Sequence, residues 1–257
     1  MAQGNLTTRA KAGTFCLNEL DLLVQDFNLM AERMEIMTND MKLWNAAIAH
    51  ELRTPVTVLK GGLQGIADGV LSADPDVIAA FMKNIDGLSR LIDDLRTVSL
   101  ADSNQLTLYR EWGDLSQEIN TILQSLEPNF AKRGKKLVYK ILVNNCYADH
   151  VRLRQAILAL LHNALDYANE GVISIHCWMG GDKLYITVED EGPGIEAELR
   201  HTIFESFYRI DPLKQTAHGS SGLGLSVVRA IAQAHGGTVK CEDSTLGGAR
   251  FVLIIPT

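Results

Sequence analysis

The sequence predicts a helical hairpin followed by an α+β domain, and two observations lead to this prediction. Up to about Leu100, apolar side chains recur at spacings of three and four, which is the period of an α-helix. From about Gln105, short runs of alternating polar and apolar residues interleave with helical stretches. With 257 residues, of which 46% are hydrophobic, the chain can fill one large or two ordinary cores.

The first helix carries a coiled-coil seam. From Leu20 to Ile48 the apolar positions alternate between spacings of three and four without a break: Leu20, Leu23, Phe27, Met30, Met34, Met37, Met41, Trp44 and Ile48. Such a period is typical of two helices wound around each other, so we expect a dimer. The alternative is a one-sided helix packed on its own domain, but no second local element is available to cover the seam.

The seam changes period in the middle of this helix. Trp44, Ile48, Leu52 and Val56 follow one another at spacings of four, which makes a stutter that locally unwinds a supercoil. The stutter coincides with His50 and Pro55, so we expect a mechanically weak helix there.

A second seamed helix follows a turn between Asp68-Gly69 and Asp74-Pro75, and ends near Leu100. Its apolar positions are Ile78, Phe81, Ile85, Leu88, Ile92 and Leu95. Neither helix can bury its stripe alone, so two hairpins pairing into a four-helix bundle are predicted for the dimer. The short polar stretch Ala101 to Gln105 is the expected linker.

The remaining residues predict helices packed on one face of a mixed sheet. Helical stretches are expected at 114–133, 150–168 and 222–236. The alternating runs read LTLYREW, KLVYKILV, VISIHCW, KLYITVED, TVKCED and RFVLIIP. The predicted domains are therefore residues 1–41, 42–101 and 105–257.

Composition excludes several classes of function. A net charge of −7 argues against direct nucleic-acid binding, which normally requires a basic surface. No run of about 18 apolar residues could span a bilayer, and the N-terminus lacks the apolar core of a signal peptide, so the chain is expected to be cytoplasmic. The cysteines contain no C-x-x-C pair and are expected to be buried structural residues: Cys16, Cys146, Cys177 and Cys241.

The stretch A-H-E-L-R-T-P, residues 49–55, places a nucleophile beside a carboxylate. The neutral imidazole of His50 presents a lone pair, and a carboxylate such as that of Glu51 can take up its proton. His50 lies off both seams and should be exposed. Neighbouring residues on a helix do not share a face, whereas Thr54, four residues on, lies directly over His50.

Three later segments are suited to ATP, which needs oxygen ligands for a divalent cation, an acceptor for the adenine amine and backbone near its phosphates. Asn163 offers an amide oxygen. Asp190 ends a strand and opens D-E-G-P-G-I, where Gly192 and Gly194 let the chain approach the base. The stretch G-S-S-G-L-G-L, residues 219–225, opens a helix whose N-terminal amides can hold phosphate, although it is not a P-loop.

Together these motifs resemble the sensor histidine kinases. H-E-L-R-T-P resembles the H-box, the helix around Asn163 the N-box, the Asp190 loop the G1 box, and IFESFYRID, residues 203–211, the F-box. The opening AQGNLTTRAKA and NELDLLVQDFNLMAERM are similar to the end of a HAMP signal-relay domain, and WNAAIAHELRTP is similar to sensor kinases that control drug efflux. The resemblance implies a phosphoacceptor bundle followed by a histidine kinase (GHKL) α+β sandwich.

The resemblance also assigns roles. His50 is implied as the phosphoacceptor, Glu51 as the base in autophosphorylation, and Thr54 as the residue that places water for dephosphorylating the partner. Asp190 would accept from the adenine amine, and the polar stretch from Pro212 to Ser221 would be a lid. The implied nucleotide contacts are Asn163, which also binds Mg²⁺, Tyr167, Asp190, Gly192, Gly194, Arg209, Gly219, Gly222, Leu223 and Gly224.

Some of these residues have alternative explanations. Tyr167 either lines the base pocket or packs in the core, packing alone could explain Phe204 and Phe207, and His162 is expected at a partly exposed position. Two positions depart from the family pattern: Ala159 stands where asparagine is usual, and Asp166 where a basic residue is usual.

The function implied is that of the cytoplasmic portion of an inner-membrane sensor, with the transmembrane sensor upstream of this chain. A homodimer would use ATP and Mg²⁺ to phosphorylate His50, pass the phosphoryl group to an aspartate on a response regulator receiver domain, and also dephosphorylate it. One alternative is a GHKL-fold ATPase in which His50 has no role. Another is a signalling scaffold with a decayed pocket, as Ala159 and Asp166 suggest.

Overall fold

The computed structural model describes residues 7–10, 18–211 and 221–257. These residues form two compact units that divide between Ala73 and Asp74. Among them, no helix is both long and apolar enough to cross a membrane.

The first unit is built on one long helix, α1, Asn18–Ala67, of 50 residues. The helix continues through Pro55, as the heptad pattern predicts. It ends at the predicted turn: Gly69 adopts a φ of +72°, and the amide of Val70 donates to Gly65 O at 2.9 Å. A glycine in this left-handed conformation is a common way for a helix to stop.

A short segment before α1 lies along it. The side chain of Asn28 accepts from the amide of Ala10 at 2.8 Å and donates to the carbonyl of Ala10 at 3.0 Å. Arg9 forms an ion pair with Glu35 at 2.7 Å. Most of the predicted seam is exposed in the single chain, including Leu23, Phe27, Met30, Met34, Met37 and Met41.

The described residues of the second unit form four α-helices, two 3-10 helices (Ala197–Leu199 and Thr202–Phe204) and two sheets. The α-helices are α2 (Pro75–Asp102), α3 (Leu115–Ala131), α4 (His150–Tyr167) and α5 (Gly224–Ala234). The strands are β1 (Glu111–Asp114), β2 (Lys135–Leu142), β3 (Asn145–Ala148), β4 (Gly171–Gly180), β5 (Lys183–Asp190), β6 (Thr238–Asp243) and β7 (Ala249–Pro256).

The larger sheet is mixed, as predicted. Its order is β2-β4-β5-β7-β6, with β2 parallel to β4 and the other neighbours antiparallel. Side chains of α3, α4 and α5 pack on one face of this sheet in a single core, which includes Phe130, Ile157, Ile175, Val228 and Phe251. This is the helix-on-sheet sandwich that the sequence predicts.

Three details of the sequence prediction need correction. The run LTLYREW was expected to be a strand throughout, but the strand begins only at Glu111. Its partner β3 was not predicted, because four residues are too few to show an alternating period. The expected linker from Ala101 overlaps α2, which continues to Asp102.

The C-terminal half of α2 packs on the rest of the second unit. Thr97 and Val98 are buried there. Gln155 on α4 donates to Asp94 at 2.9 Å and to Thr97 at 3.2 Å, and Arg152 donates to Thr97 at 3.0 Å. Burial raises the pKa of Asp94, and the hydrogen bond from Gln155 opposes that change. Polar side chains therefore fix the register of α2 on α4.

Three of the four cysteines are buried free thiols, as expected: Cys146, Cys177 and Cys241. Burial raises the pKa of Cys177 to about 12, and those of Cys146 and Cys241 to about 11. Thiols this hard to ionise are poor nucleophiles, which fits a structural role. Cys16 lies outside the described residues.

Candidate functional site

His50 lies on the solvent-exposed surface of α1, as predicted. Thr54 lies one turn further on the same face, and its hydroxyl donates to the His50 carbonyl at 3.4 Å. The two residues line a shallow surface pocket with Arg53, Thr57 and Val58. Glu51, the adjacent residue, is half-buried. The imidazole of His50 is therefore open to a reactant that approaches from solvent.

Asp190 is the most firmly held polar side chain of the candidate pocket. It ends β5 and is only 5% exposed. Its Oδ1 accepts from the amides of Gly192 at 2.8 Å and Ala249 at 3.1 Å, while its own carbonyl accepts from Gly248 at 3.1 Å. Because both amides bond to Oδ1, Oδ2 is the oxygen left to receive a hydrogen bond from a ligand.

Glycines around Asp190 leave room only for backbone. A Cβ on Gly192 would lie 2.7 Å from Asp190 Oδ1, and a Cβ on Gly248 would collide with the same oxygen. Gly194 adopts a φ of +73°, which favours glycine. The sequence motifs identified Gly192 and Gly194 but not Gly248. A glycine just before the last strand does not by itself indicate which side chain it faces.

The structure brings the end of α4 to this loop. Asn163 and Tyr167 lie one turn apart on α4, and both are half-buried. The backbone after the helix contacts the loop, because a Cβ on Gly192 would also lie 3.2 Å from Ala168 Cα. Ala159 faces the N-terminus of α5, since a Cβ on Gly224 would lie 3.8 Å from Ala159 Cβ. Helix α4 thus joins the Asp190 loop to the amides that begin α5.

The chain on either side of residues 212–220 is held together. Phe207 adopts a φ of +64°, uncommon for a residue with a side chain, and its amide donates to Gly222 O at 3.0 Å. Gly222 has a φ of +72°, and a Cβ there would lie 2.8 Å from the Phe207 carbonyl carbon. Leu223 is buried at the start of α5. The F-box and the second glycine loop therefore meet directly.

The remaining predicted residues have simpler positions. Phe204 is buried against Phe251, edge to face at 6.3 Å, so packing explains it. Arg209 is half-buried. His162 is half-buried, as expected, with its ring 3.3 Å from the Arg90 guanidinium of α2. Gly219 and most of the expected lid lie outside the described residues.

Metal binding by protein side chains alone is not indicated. Within the described ranges, no three or more His, Cys, Asp or Glu residues are grouped so that they could hold a metal ion. The role of Asn163 as an oxygen ligand stays a prediction.

Two segments of the chain match known families. Residues 40–104 match the His Kinase A (phospho-acceptor) domain, and residues 148–257 match the histidine kinase-, DNA gyrase B-, and HSP90-like ATPase family. The first segment contains His50, and the second contains Asn163, the Asp190 loop and α5.

Two relatives that match most or all of the chain are sensor kinases of Escherichia coli strain K12. The histidine-protein kinase BaeS is 32% identical over 258 residues, which cover 100% of this chain and 55% of BaeS. The sensor protein RstB is 37% identical over 227 residues, which cover 88% of this chain and 51% of RstB. The chain thus spans about half the length of these relatives.

A solved structure has the same fold over most of the chain. The histidine kinase AdeS of Acinetobacter baumannii is 33% identical, with a TM-score of 0.64. The match covers 80% of this chain and 97% of the AdeS chain.

Proposed function

The chain belongs to the sensor histidine kinase family, and we propose that it phosphorylates His50 from ATP and passes the phosphoryl group to an aspartate of a response regulator receiver domain. The observation that carries this proposal is the combination, in one chain, of an exposed histidine beside Thr54 and a pocket built around Asp190 Oδ2. Neither feature alone would select phosphotransfer, because a lone histidine is usually only a surface residue.

The pocket residues fit ATP. Asp190 Oδ2 would accept from the adenine amine, and the glycines beside it leave the base room to approach the backbone. The amides of Leu223 and Gly224 begin α5, where the helix dipole favours phosphate oxygens, and Arg209 would add a positive charge. Asn163 would supply an oxygen to Mg²⁺ held between the phosphates. The cation would neutralise charge on the phosphates during transfer.

The proposed chemistry has two transfers. A nitrogen of neutral His50 forms a bond to the γ-phosphorus, the bond to the bridging oxygen breaks, and ADP leaves. Glu51 takes the proton from the imidazole. An aspartate of the response regulator then forms a bond to the same phosphorus, and the phosphorus–nitrogen bond breaks. In the opposing reaction, which dephosphorylates the response regulator, Thr54 would place a water molecule to hydrolyse the aspartyl phosphate.

We further propose a homodimer and a location beneath a membrane. The exposed apolar seam of α1 supports pairing with a second copy into a four-helix bundle. The chain would be the cytoplasmic portion of an inner-membrane sensor, with residues 1–41 as the end of a HAMP domain and signalling helix. Residues 42–101 would then be the phosphotransfer domain and residues 105–257 the catalytic domain.

Radiolabelled ATP tests the kinase proposal on the parent, on His50→Ala and on His201→Ala. The control fits because His201 is exposed but lies in the other unit. We expect acid-labile, base-stable label on the parent and on His201→Ala, and none on His50→Ala. ATP affinity of His50→Ala should stay at the parent value, because the pocket residues are in the second unit. Label retained on His50→Ala would contradict the assignment.

The alternatives give different results in the same experiment. A GHKL-type ATPase would hydrolyse ATP without labelling the protein. A scaffold with a decayed pocket would show no ATP binding by calorimetry.

A further inference from the structure

Asp166, the acidic residue at a position that is usually basic, has a specific partner. Its side chain is 5% exposed, and its Oδ1 lies 2.9 Å from Nη1 of Arg133. The same guanidinium nitrogen donates to the carbonyl of Leu165 at 2.9 Å. Lys135, which is only 7% exposed, donates from Nζ to the carbonyls of Ala164 and Leu165. Two cations, Arg133 in the turn before β2 and Lys135 at the first residue of β2, therefore meet the last turn of α4.

This arrangement explains why residue 166 is acidic and not basic. The last carbonyls of a helix lack helical partners and carry partial negative charge, so nearby cations stabilise them. Lys135 is buried and Arg133 is partly exposed, and Asp166 supplies a counter-charge to Arg133 at 2.9 Å. A lysine or arginine at position 166 would instead place a third cation beside Arg133 and Lys135.

The end of α4 is continuous with the adenine loop. Ala168 lies against Gly192, and Asn169 donates from Nδ2 to the carbonyl of Glu191 at 3.3 Å. The amide of Gly171, at the start of β4, donates to the carbonyl of Gly134 at 3.3 Å, between the two cationic residues. A displacement of the last turn of α4 would therefore be passed on to the loop that carries Asp190.

We propose that Asp166, Arg133 and Lys135 form a clamp that holds the end of α4 against the adenine loop, and that Asp166 is a positioning residue for nucleotide binding. The inference rests on the proposed function, since it names the residues that shape the ATP site. It also gives the acidic side chain, one reason for suspecting a decayed pocket, a structural explanation: Asp166 pairs with Arg133.

Three substitutions test the clamp, with KM for ATP, kcat of autophosphorylation and calorimetric Kd as readouts. Asp166→Lys, which introduces the usual charge type, should raise KM and Kd for ATP about tenfold, with kcat within about threefold of the parent. Asp166→Asn keeps an acceptor for Arg133 and should stay within about threefold. In an Arg133→Gln background, where one of the two repelling charges is gone and Lys135 remains, Asp166→Lys should cost less than in the parent background, about threefold.

Three outcomes would overturn the inference. ATP binding by Asp166→Lys that equals or exceeds the parent's would mean that a basic residue at 166 is a missing ligand. If the tenfold loss of ATP affinity in Asp166→Lys persists undiminished in the Arg133→Gln background, Asp166 acts on the nucleotide without Arg133. A thermal double-mutant cycle of Arg133→Gln and Asp166→Ala without ATP should show coupling, because alanine removes the acceptor, and additive changes would also overturn the clamp. Because that cycle needs no nucleotide, it separates a failed clamp from a failed kinase proposal.

Discussion

At the scale of single residues, the proposed site depends on contacts between residues that are far apart in the sequence. His50 was expected to be exposed with Thr54 above it, and both expectations are confirmed. Asp190 was identified from a short loop motif, but the amide of Ala249 that holds it comes from 59 residues further along the chain. A local pattern contains no information about such a partner, and the same holds for Arg133 and Asp166.

Replacement of Asp190 by asparagine should weaken ATP binding. The amide oxygen of the new side chain can still accept from Gly192 and Ala249, so the loop should keep its shape. The other atom, now an NH2 group, would face the adenine amine as a donor. We expect a loss of about 1.5–3 kcal/mol, which is about 10- to 150-fold in Kd by calorimetry.

The matched control is Asp182→Asn, at an exposed aspartate in the turn between β4 and β5. It should bind ATP as the parent does. An Asp190→Asn variant with parental affinity would place the adenine site elsewhere.

Thr54→Ala should separate the two activities proposed for His50. Thr54 shares the face of His50 but contributes only a hydroxyl that bonds to the backbone, so the imidazole should keep its reactivity. Autophosphorylation should stay within about twofold of the parent, while dephosphorylation of the phosphorylated regulator should slow about tenfold or more. Thr57→Ala, one turn further along the same surface pocket, is the control and should preserve both rates. A parallel fall of both activities in Thr54→Ala would rule out a specific role in hydrolysis.

At the scale of elements, long periodic segments were predicted well and short ones were not. The helices α3, α4 and α5 begin and end within two residues of the predicted ranges, because each turns a continuous apolar face to the sheet. The pair β1–β3 is held by four residues on each side, and its existence depends on the tertiary contact. The register of α2 on α4 was not predictable, since it depends on Gln155 and Arg152 meeting Asp94 and Thr97.

One buried histidine joins two of these elements. His235 follows α5 and is 2% exposed; its Nδ1 lies 2.8 Å from the carbonyl of Ile231, so that nitrogen must donate. Its Nε2 lies 3.2 Å from the amide of Asp149, the N-cap of α4, so that nitrogen must accept. Both bonds are satisfied only by a neutral ring. Burial lowers the pKa of His235, and the nearby charge of Arg110 lowers it further.

Because His235 is neutral in the folded protein, the free energy of unfolding should depend on pH. Because the folded pKa is below the unfolded value of about 6.5, the unfolded chain binds more protons between the two values. The contribution of neutral His235 to the free energy of unfolding is therefore fully present above pH about 6.5. It is lost as the pH falls from there through the folded pKa of His235. When Tm is measured at a series of pH values from 8 to 5, the Tm of the parent should fall below pH about 6.5. His235→Gln, which keeps one donor and one acceptor, should show a smaller fall.

The pH dependence of Tm in His235→Gln is compared with that in His176→Gln. His176 is also a histidine whose pKa is lowered, chiefly by burial. It lies on the outer face of β4 and joins no helix end. An identical pH dependence in the parent and in His235→Gln would show that His235 does not carry the effect.

At the scale of the whole molecule, the nucleophile and the nucleotide pocket belong to different compact units. His50 is in the unit that ends at Ala73, and Asp190 is in the unit that follows. The proposed phosphotransfer would therefore require the two units to meet, and a signal that changed how often they meet would control it. The helix that carries His50 is continuous from Asn18 to Ala67, so a rotation or shift at its start can reach the histidine.

The stutter between Trp44 and Val56 should transmit such a signal. A seam that changes period there offers the dimeric bundle two packing arrangements around His50 instead of one. Deletion of Asn39, an exposed residue between Met34 and Trp44, would rotate the upstream seam by about 100° relative to the bundle and so favour one arrangement. Kinase and phosphatase activities should then change in opposite directions.

Deletion of one whole heptad, residues 34–40, is the matched control for this experiment. It shortens the same segment but leaves the two seams within about 20° of their original alignment. Its activities should therefore stay near those of the parent, and sedimentation should show a dimer for both variants. If the Asn39 deletion also leaves both activities unchanged while the dimer is intact, the upstream helix is only a tether and the stutter does not transmit a signal.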